Sequence, residues 1–172
     1  AKTAFDSKRL TDAFVIGKAR VFDDDPRYGL VVLSQIAGRA LSPAVNDPGT
    51  AIDVISTLVR LFVLWGASKP DDEGTYPEMK YDRVQVPLLA TQDMFDDAFT
   101  AITRDGSGSV EVAIRLQKAL SSLASMGDVS MRDAAMQHAR RALVCAEKSL
   151  SIPEDLATVR DLASFTKKAR TA

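Results

Sequence analysis

The chain is poor in the residues that most often staple a fold or carry chemistry. It has one cysteine, Cys145, and one histidine, His138, in 172 residues. A disulfide framework needs paired cysteines and a multi-histidine metal site needs several imidazoles, so neither can form within the chain. Aromatic residues number 11 against 24 alanines, a balance that favours closely packed helices over pleated sheet. Neither sign of charge is in excess: 22 Lys and Arg against 23 Asp and Glu leave a formal net charge of -1. A nucleic-acid binder usually shows a basic excess or stripe, so this class is excluded as an expectation. A long uncharged apolar run is missing as well. The most apolar stretch, Ala51 to Trp65, contains Asp53 and Arg60, whereas a spanning helix takes about 20 nearly uncharged residues. We expect this stretch to serve a folded core rather than to cross a membrane. The chain opens Ala1-Lys2-Thr3-Ala4 with no initiator Met and no basic-then-apolar leader. We therefore expect a piece of a longer protein or a processed product.

What is present describes a globular domain. Apolar residues make up 46% and charged residues 26%, near the mean for folded chains, and the length suits one domain, 1–172. A chain of this size buries roughly 70% of its unfolded surface, enough for a core without staples.

Periodicity predicts about seven helices in an all-α, single-domain bundle. Leu10, Phe14, Gly17 and Val21 recur at helical spacing over about 7–21. Asp25-Pro26 is a helix start, an acceptor at the cap and a proline where the missing N–H costs nothing. Leu30, Leu33, Ala37 and Leu41 form the apolar stripe of that second helix. Asp47-Pro48 repeats the same start for a third, running to about Gly66 and apolar nearly all round, which marks it as the central buried helix. From Ala67 to Pro87 the pattern fails in a polar stretch punctuated by Pro and Gly, an exposed loop. Val84-Gln85-Val86 alternates and could pair as a very short strand, too short to establish a sheet. Phe95, Phe99 and Ile102 resume helical spacing, with Asp93, Asp96 and Asp97 in the first turns, where the positive helix end favours carboxylates. After a turn at Asp105–Ser109, helices are expected over about Val110–Met126 and on to Leu150, the latter capped by Asp128 or Ser130. Ala135, Ala139, Ala142 and Ala146 give it a small-residue face. Ser151-Ile152-Pro153 opens a last helix carrying Leu156, Val159 and Phe165.

Candidate chemistry is sparse. His138 lies seven residues from Met131 and from Cys145 on one side of one helix, and i, i+7 separates two side chains by about 10 Å. A Cys–His nucleophilic pair within that helix is excluded, leaving a boundary histidine beside a buried thiol. Asp23-Asp24-Asp25 lacks the spaced acids, the glycine and the distal Glu of a calcium loop. The glycines and serines at 106–109 lack the Lys-Ser/Thr of a phosphate loop. No cofactor and no metal site is expected. The constellation of most interest is Arg27, Arg39, Ser42, Asn46, Asp47 and Asp53. A guanidinium, an amide, carboxylates and the amides of a helix start can together bind a small anion or polar group. The same residue types also cap helices, turn the chain and brace a corner. Both readings are open at this point.

In this segment the chain resembles a known family. Asp25-Pro26-Arg27-Tyr28-Gly29-Leu30, then Ile36-Ala37-Gly38-Arg39-Ala40-Leu41-Ser42-Pro43-Ala44-Val45-Asn46-Asp47-Pro48-Gly49-Thr50-Ala51, is similar to the signature of a bacterial family of predicted membrane proteins of unknown function. Asp82-Arg83-Val84-Gln85-Val86-Pro87 resembles a second, shorter motif of that family. Gly38 and Val31-Val32 stand where many relatives carry bulkier or more polar residues. The resemblance implies about four hydrophobic helices ahead of this part, whose even number would return it to the side of the N-terminus. It further implies an inner-membrane protein whose soluble C-terminal part faces the cytoplasm, a setting that suits a free cysteine. It supplies no reaction.

Two functions follow. One is a non-enzymatic regulatory, ligand-binding or oligomerisation module, a homo-oligomer attached to its own transmembrane region, such as a channel or transporter. The alternative is a carboxylate- or metal-dependent enzyme using Asp25, Arg39, Asp47 and Asp53. Convergence of those carboxylates in one pocket would favour the enzyme. Their separation onto individual helix starts would count against it.

Overall fold

A computed structural model describes residues 8, 11, 12, 17–23, 25–67 and 88–168. Among these the chain is all-α, with seven helices and no strand. They are α1 (Pro26–Ala40), α2 (Pro48–Ala67), α3 (Thr91–Asp105), α4 (Val110–Met126), α5 (Val129–Ser149), α6 (Pro153–Leu162) and α7 (Phe165–Lys168). The expected loop after Ala67 and the three-residue strand at 84–86 lie outside the described residues.

Most helix starts are built as the local chemistry dictates. Asp25 Oδ1 accepts the Tyr28 amide at 3.0 Å, ahead of a proline at the first helical position. Ser109 accepts from the Val112 amide at the start of α4. Asp128, rather than Ser130, caps α5 by accepting the Met131 amide at 2.8 Å. Ser130 instead donates to Asp128 Oδ1 at 2.7 Å and lies 2.9 Å from Thr91 Oγ1, tying α5 to the start of α3.

Five helices close into a ring, with neighbours in the order α1, α2, α4, α5, α3 and back to α1. Leu30 and Ala37 of α1, Ile55 and Leu58 of α2, Phe95 and Phe99 of α3, Leu116 and Leu120 of α4, and Ala135 and Ala139 of α5 fill the centre. The small-residue face of α5 lets α4 approach closely. α6 packs on α4 and α5, where Val159, Ala113 and Ala146 make a smaller apolar cluster.

Three expectations need correction. The spacing predicts a first helix running to Val21, but residues 17–23 are bends, turns and irregular backbone. Gly17 explains the weakness, since glycine costs about 1 kcal/mol in a helix interior. Leu10 and Phe14 lie outside the described residues. The last helix divides at Ala163-Ser164, where bonding tightens to i→i+3: Ser164 N–H donates to the Asp161 carbonyl and Thr166 N–H to that of Ala163. α2 is not buried all round. Ala51, Val54, Ile55, Leu58 and Phe62 face the core, whereas Leu61, Val63 and Leu64 are exposed. By length and composition alone α2 is apolar enough to cross a membrane. Its buried stripe packs on α1 and α4.

Candidate functional site

The corner between α1 and α2 is held by short local bonds. Ser42 Oγ donates to the Arg39 carbonyl at 2.7 Å, and the amides of Val45 and Asn46 donate to the Ser42 carbonyl. The Asp47 amide reaches back to the Ala40 carbonyl at 2.7 Å, clamping the end of one helix to the start of the next. Asn46 turns the chain with φ of 49°, a left-handed conformation that asparagine tolerates through its short polar side chain. Asp47 accepts from Thr50 Oγ1 at 2.6 Å and from the Thr50 amide at 3.1 Å. These bonds, the hydroxyl first, hold its carboxyl below the ordinary carboxylate pKa.

Ser42, Asn46 and Asp47 therefore meet in one turn, joined by the backbone of Arg39. The Arg39 side chain is exposed on the last turn of α1 and makes no ion pair among the described residues. Asp53 is exposed one turn and a half into α2. Arg27 is not brought to the corner. Twelve residues of helix place it about 18 Å from Arg39, at the other end of α1. There its Nε donates to Asp97 Oδ2 at 2.6 Å and its Nη1 to Asp93 Oδ2 at 3.0 Å, bracing α1 against α3.

The carboxylates of the enzymatic alternative are likewise held apart. Asp25 caps α1 and accepts from Arg20 Nε at 2.6 Å. That bond, followed by the Tyr28 amide, lowers its pKa. Asp47 caps α2, so the length of α1, about 22 Å, lies between them. An Asp25/Arg39/Asp47/Asp53 cluster is not formed, because helix capping distributes its acids. Among the described residues no three His, Cys, Asp or Glu side chains come together as a set that could hold a metal.

His138 is more deeply placed than its sequence neighbourhood implies. Its side chain is 2% exposed, while Cys145 is only half-buried. The ring sits against Phe95 and Phe99, with centroids 5.8 and 6.2 Å away. Nε2 lies 3.0 Å from Asp96 Oδ1. Burial lowers the imidazole pKa and outweighs the attraction of Asp96, whose side chain is 50% exposed and screened by water. In the neutral ring Nε2–H donates to Asp96, which leaves the buried Nδ1 as an acceptor without a partner.

A further group of charged side chains lies elsewhere. α2 and α4 pack side by side, and a cleft of about 290 Å³ opens between them. It is lined by Ser56, Val59 and Arg60 from α2 and by Arg115, Lys118, Ala119 and Ser122 from α4. On each helix these positions are three or four apart and share one face. Ser56 donates its hydroxyl proton to the Ile52 carbonyl at 2.8 Å and accepts from Arg115 Nη2 at 2.7 Å. That bond spans the cleft and fixes the guanidinium while leaving most of its five N–H donors free. No carboxylate lines the cleft. Arg20, Arg27, Arg104, Arg132 and Arg160 each reach a carboxylate. Arg60, Arg115 and Lys118 make no ion pair among the described residues. Three cationic residues and two serines are among the residues that line the cleft, with no imidazole, thiol or carboxylate to act as a base; the surface they expose to it is mostly apolar, and the Ser56 hydroxyl is already engaged.

None of these lining residues stood out in the sequence. The spacing of Arg115 and Lys118 is visible, but their opposition to Ser56 and Arg60 depends on the pairing of α2 with α4 across a sequence separation of 59.

Residues 2–122 match a family described as "Predicted membrane protein (DUF2254)". An uncharacterised protein of Mycobacterium bovis and uncharacterised proteins of two strains of Mycobacterium tuberculosis are each 48% identical over 58 residues. That similarity covers 33% of this chain and 11% of each relative, so the chain spans only about a tenth of their length. No solved structure matches. The family match runs from residue 2 to residue 122, within α4, and takes in every residue lining the cleft. The chain belongs to this family of predicted membrane proteins.

Proposed function

We propose, proceeding from that membership, that the chain is a non-catalytic helical module through which a multi-span membrane protein, such as a channel or transporter, is regulated by a small anion. The observation that carries this reading is the cleft between α2 and α4, whose lining includes Arg60, Arg115 and Lys118 and no carboxylate. The signature corner at residues 39–47 then acts as a brace that sets α1 against α2, since its polar groups bond to one another. In this reading α2 is a helix of the bundle, with Asp53 facing water and Arg60 lining the open cleft, and the membrane is crossed by other parts of the protein. The module lies on the cytoplasmic side, the simplest placement for a part that follows an even number of spans. Homo-oligomerisation draws support from Leu61, Val63 and Leu64, large apolar side chains left exposed along one stretch of α2.

The test is a thermal-unfolding screen of the purified chain against a panel of small anions at constant ionic strength, with chloride as reference. An anion that binds the folded chain raises the melting temperature by mass action. The rise should disappear in the double variant Arg60→Gln, Arg115→Gln. A flat response across the panel, or a rise that the double variant keeps, would refute the assignment.

A further inference from the structure

We infer that the cleft is built for a phosphate group, an assignment that rests on the anion-binding reading above. Three cationic residues line one small volume, and a monocarboxylate would neutralise one of them. A phosphate monoester brings close to two negative charges and three strong acceptor oxygens. Arg115 is suited to such a partner because Ser56 holds it from one side. Its remaining N–H groups form a fork that matches two phosphate oxygens. Arg60 approaches from α2 and Lys118 from the next turn of α4. Ser122 adds a hydroxyl with no side-chain partner among the described residues; Ser125 Oγ donates to its backbone carbonyl.

The lining also limits what the phosphate is attached to. About 290 Å³ is at the small end for ligand sites, so a compact group fits and a whole dinucleotide does not. No aromatic ring lines the cleft, so a nucleobase would find no stacking platform. Val59 and Ala119 offer an apolar patch to the short carbon stem of an ester. The shared chemistry is a phosphomonoester on a small aliphatic carrier, available from a free phosphorylated metabolite or from the headgroup of phosphatidic acid.

Calorimetric titration of the whole chain with sn-glycerol 3-phosphate, inorganic pyrophosphate, acetate and citrate at matched ionic strength separates these cases. Both phosphates should bind at least about tenfold more tightly than acetate or citrate. Arg115→Gln or Lys118→Gln should weaken them by about tenfold or more. Arg39→Gln, which removes an exposed unpaired arginine outside the cleft, should leave the affinity unchanged. Circular dichroism of each variant verifies that it folds. Co-sedimentation with phosphatidylcholine vesicles, with and without one-fifth phosphatidic acid, identifies the source. Cleft-dependent binding to the acidic vesicles assigns a lipid headgroup, and binding of glycerol 3-phosphate alone assigns a free metabolite. If citrate binds as tightly as phosphate and the cleft variants abolish it, anion binding stands and the phosphate assignment falls. If no anion binds, or the cleft variants change nothing, both fall.

Discussion

Phe99→Ala should be among the most damaging single substitutions in the chain, and its cost can be worked from the packing. Phe99 is fully buried on α3. Its ring centroid lies 5.8 Å from that of Phe62 on α2, 5.4 Å from Phe95 on α3 and 6.2 Å from His138 on α5. Truncating a buried phenylalanine to alanine costs about 3–5 kcal/mol, a transfer loss plus the cavity left behind. Aromatic pairs at such separations add about 0.5–1.5 kcal/mol each beyond burial. Three ring contacts disappear together, so the loss belongs near the upper end, about 4–5 kcal/mol. Domains carry about 5–15 kcal/mol of stability in all. The variant should therefore lose about a quarter or more of it, and at about 2–4 °C per kcal/mol for this size its melting temperature should drop by roughly 8–20 °C.

Urea unfolding followed by helical circular dichroism measures this, provided the slope with denaturant is unchanged. The matched control is Phe22→Ala. Phe22 is 60% exposed, and its ring stacks on Tyr28 at 4.9 Å, so about 1 kcal/mol or less should be lost. A double-mutant cycle of Phe99→Ala with Phe62→Ala should show coupling of about 0.5–3 kcal/mol, because the two rings share one contact surface. A loss for Phe99→Ala below about 1.5 kcal/mol, or equal to that of Phe22→Ala, would refute the placement of this cluster at the meeting of α2, α3 and α5.

The turn between α3 and α4 offers a contrast between two glycines. A methyl at Gly106 would stand 2.6 Å from Val112 Cγ1 and 2.8 Å from the Ile102 carbonyl oxygen, whereas one at Gly108 meets nothing within 4 Å. Gly106→Ala should cost about 1–3 kcal/mol by overpacking, and Gly108→Ala should be neutral or stabilising by about 0.4–1 kcal/mol; equal effects in denaturant melts would contradict the turn. His138 sets a pH dependence. Its folded pKa lies below the ordinary 6.5, so between the two values the unfolded chain binds more protons and stability rises with pH. The contribution is complete above about 6.5 and declines as pH falls below it. His138→Gln should remove this slope relative to wild type, and an unchanged slope would mean that the imidazole is not buried neutral. At the corner, Asn46→Ala should be less stable than Asn46→Gly by about 1 kcal/mol, since only glycine and asparagine hold the left-handed conformation cheaply; equal stability would deny that conformation.

The helices were legible where their ends are made of local chemistry. Asp25-Pro26, Asp47-Pro48 and Asp128 each carry an acceptor that bonds an amide three residues on, and such bonds need no information from distant sequence. The errors fall where neighbours in space decide. Leu61 and Leu64 look as apolar as Leu58, yet only Leu58 faces the ring, because α2 borders α1 and α4 and leaves its outer side uncovered. His138 reads as a boundary residue until α3 supplies Phe95, Phe99 and Asp96 around it. The expected helix over 7–21 is helical at Lys8 and Thr11 and has given way to irregular backbone by Gly17, and the break at Ala163-Ser164 makes two helices of one.

The same distinction explains why the conspicuous residues and the candidate site differ. Arg39, Ser42, Asn46 and Asp47 are conspicuous because a tight corner with a left-handed residue admits few side chains, so local geometry writes a dense pattern into a short stretch. A cleft writes no such pattern. Ser56, Arg60, Arg115 and Lys118 are ordinary exposed helix residues when α2 and α4 are considered separately, and any of them would pass as a solvated face. What groups them is their meeting along one cleft with no carboxylate in its lining, which becomes visible only when the two helices lie together. Like charges brought together without pairing cost free energy in the empty protein. An incoming anion relieves that cost as it binds, so affinity should fall as salt screens the cleft.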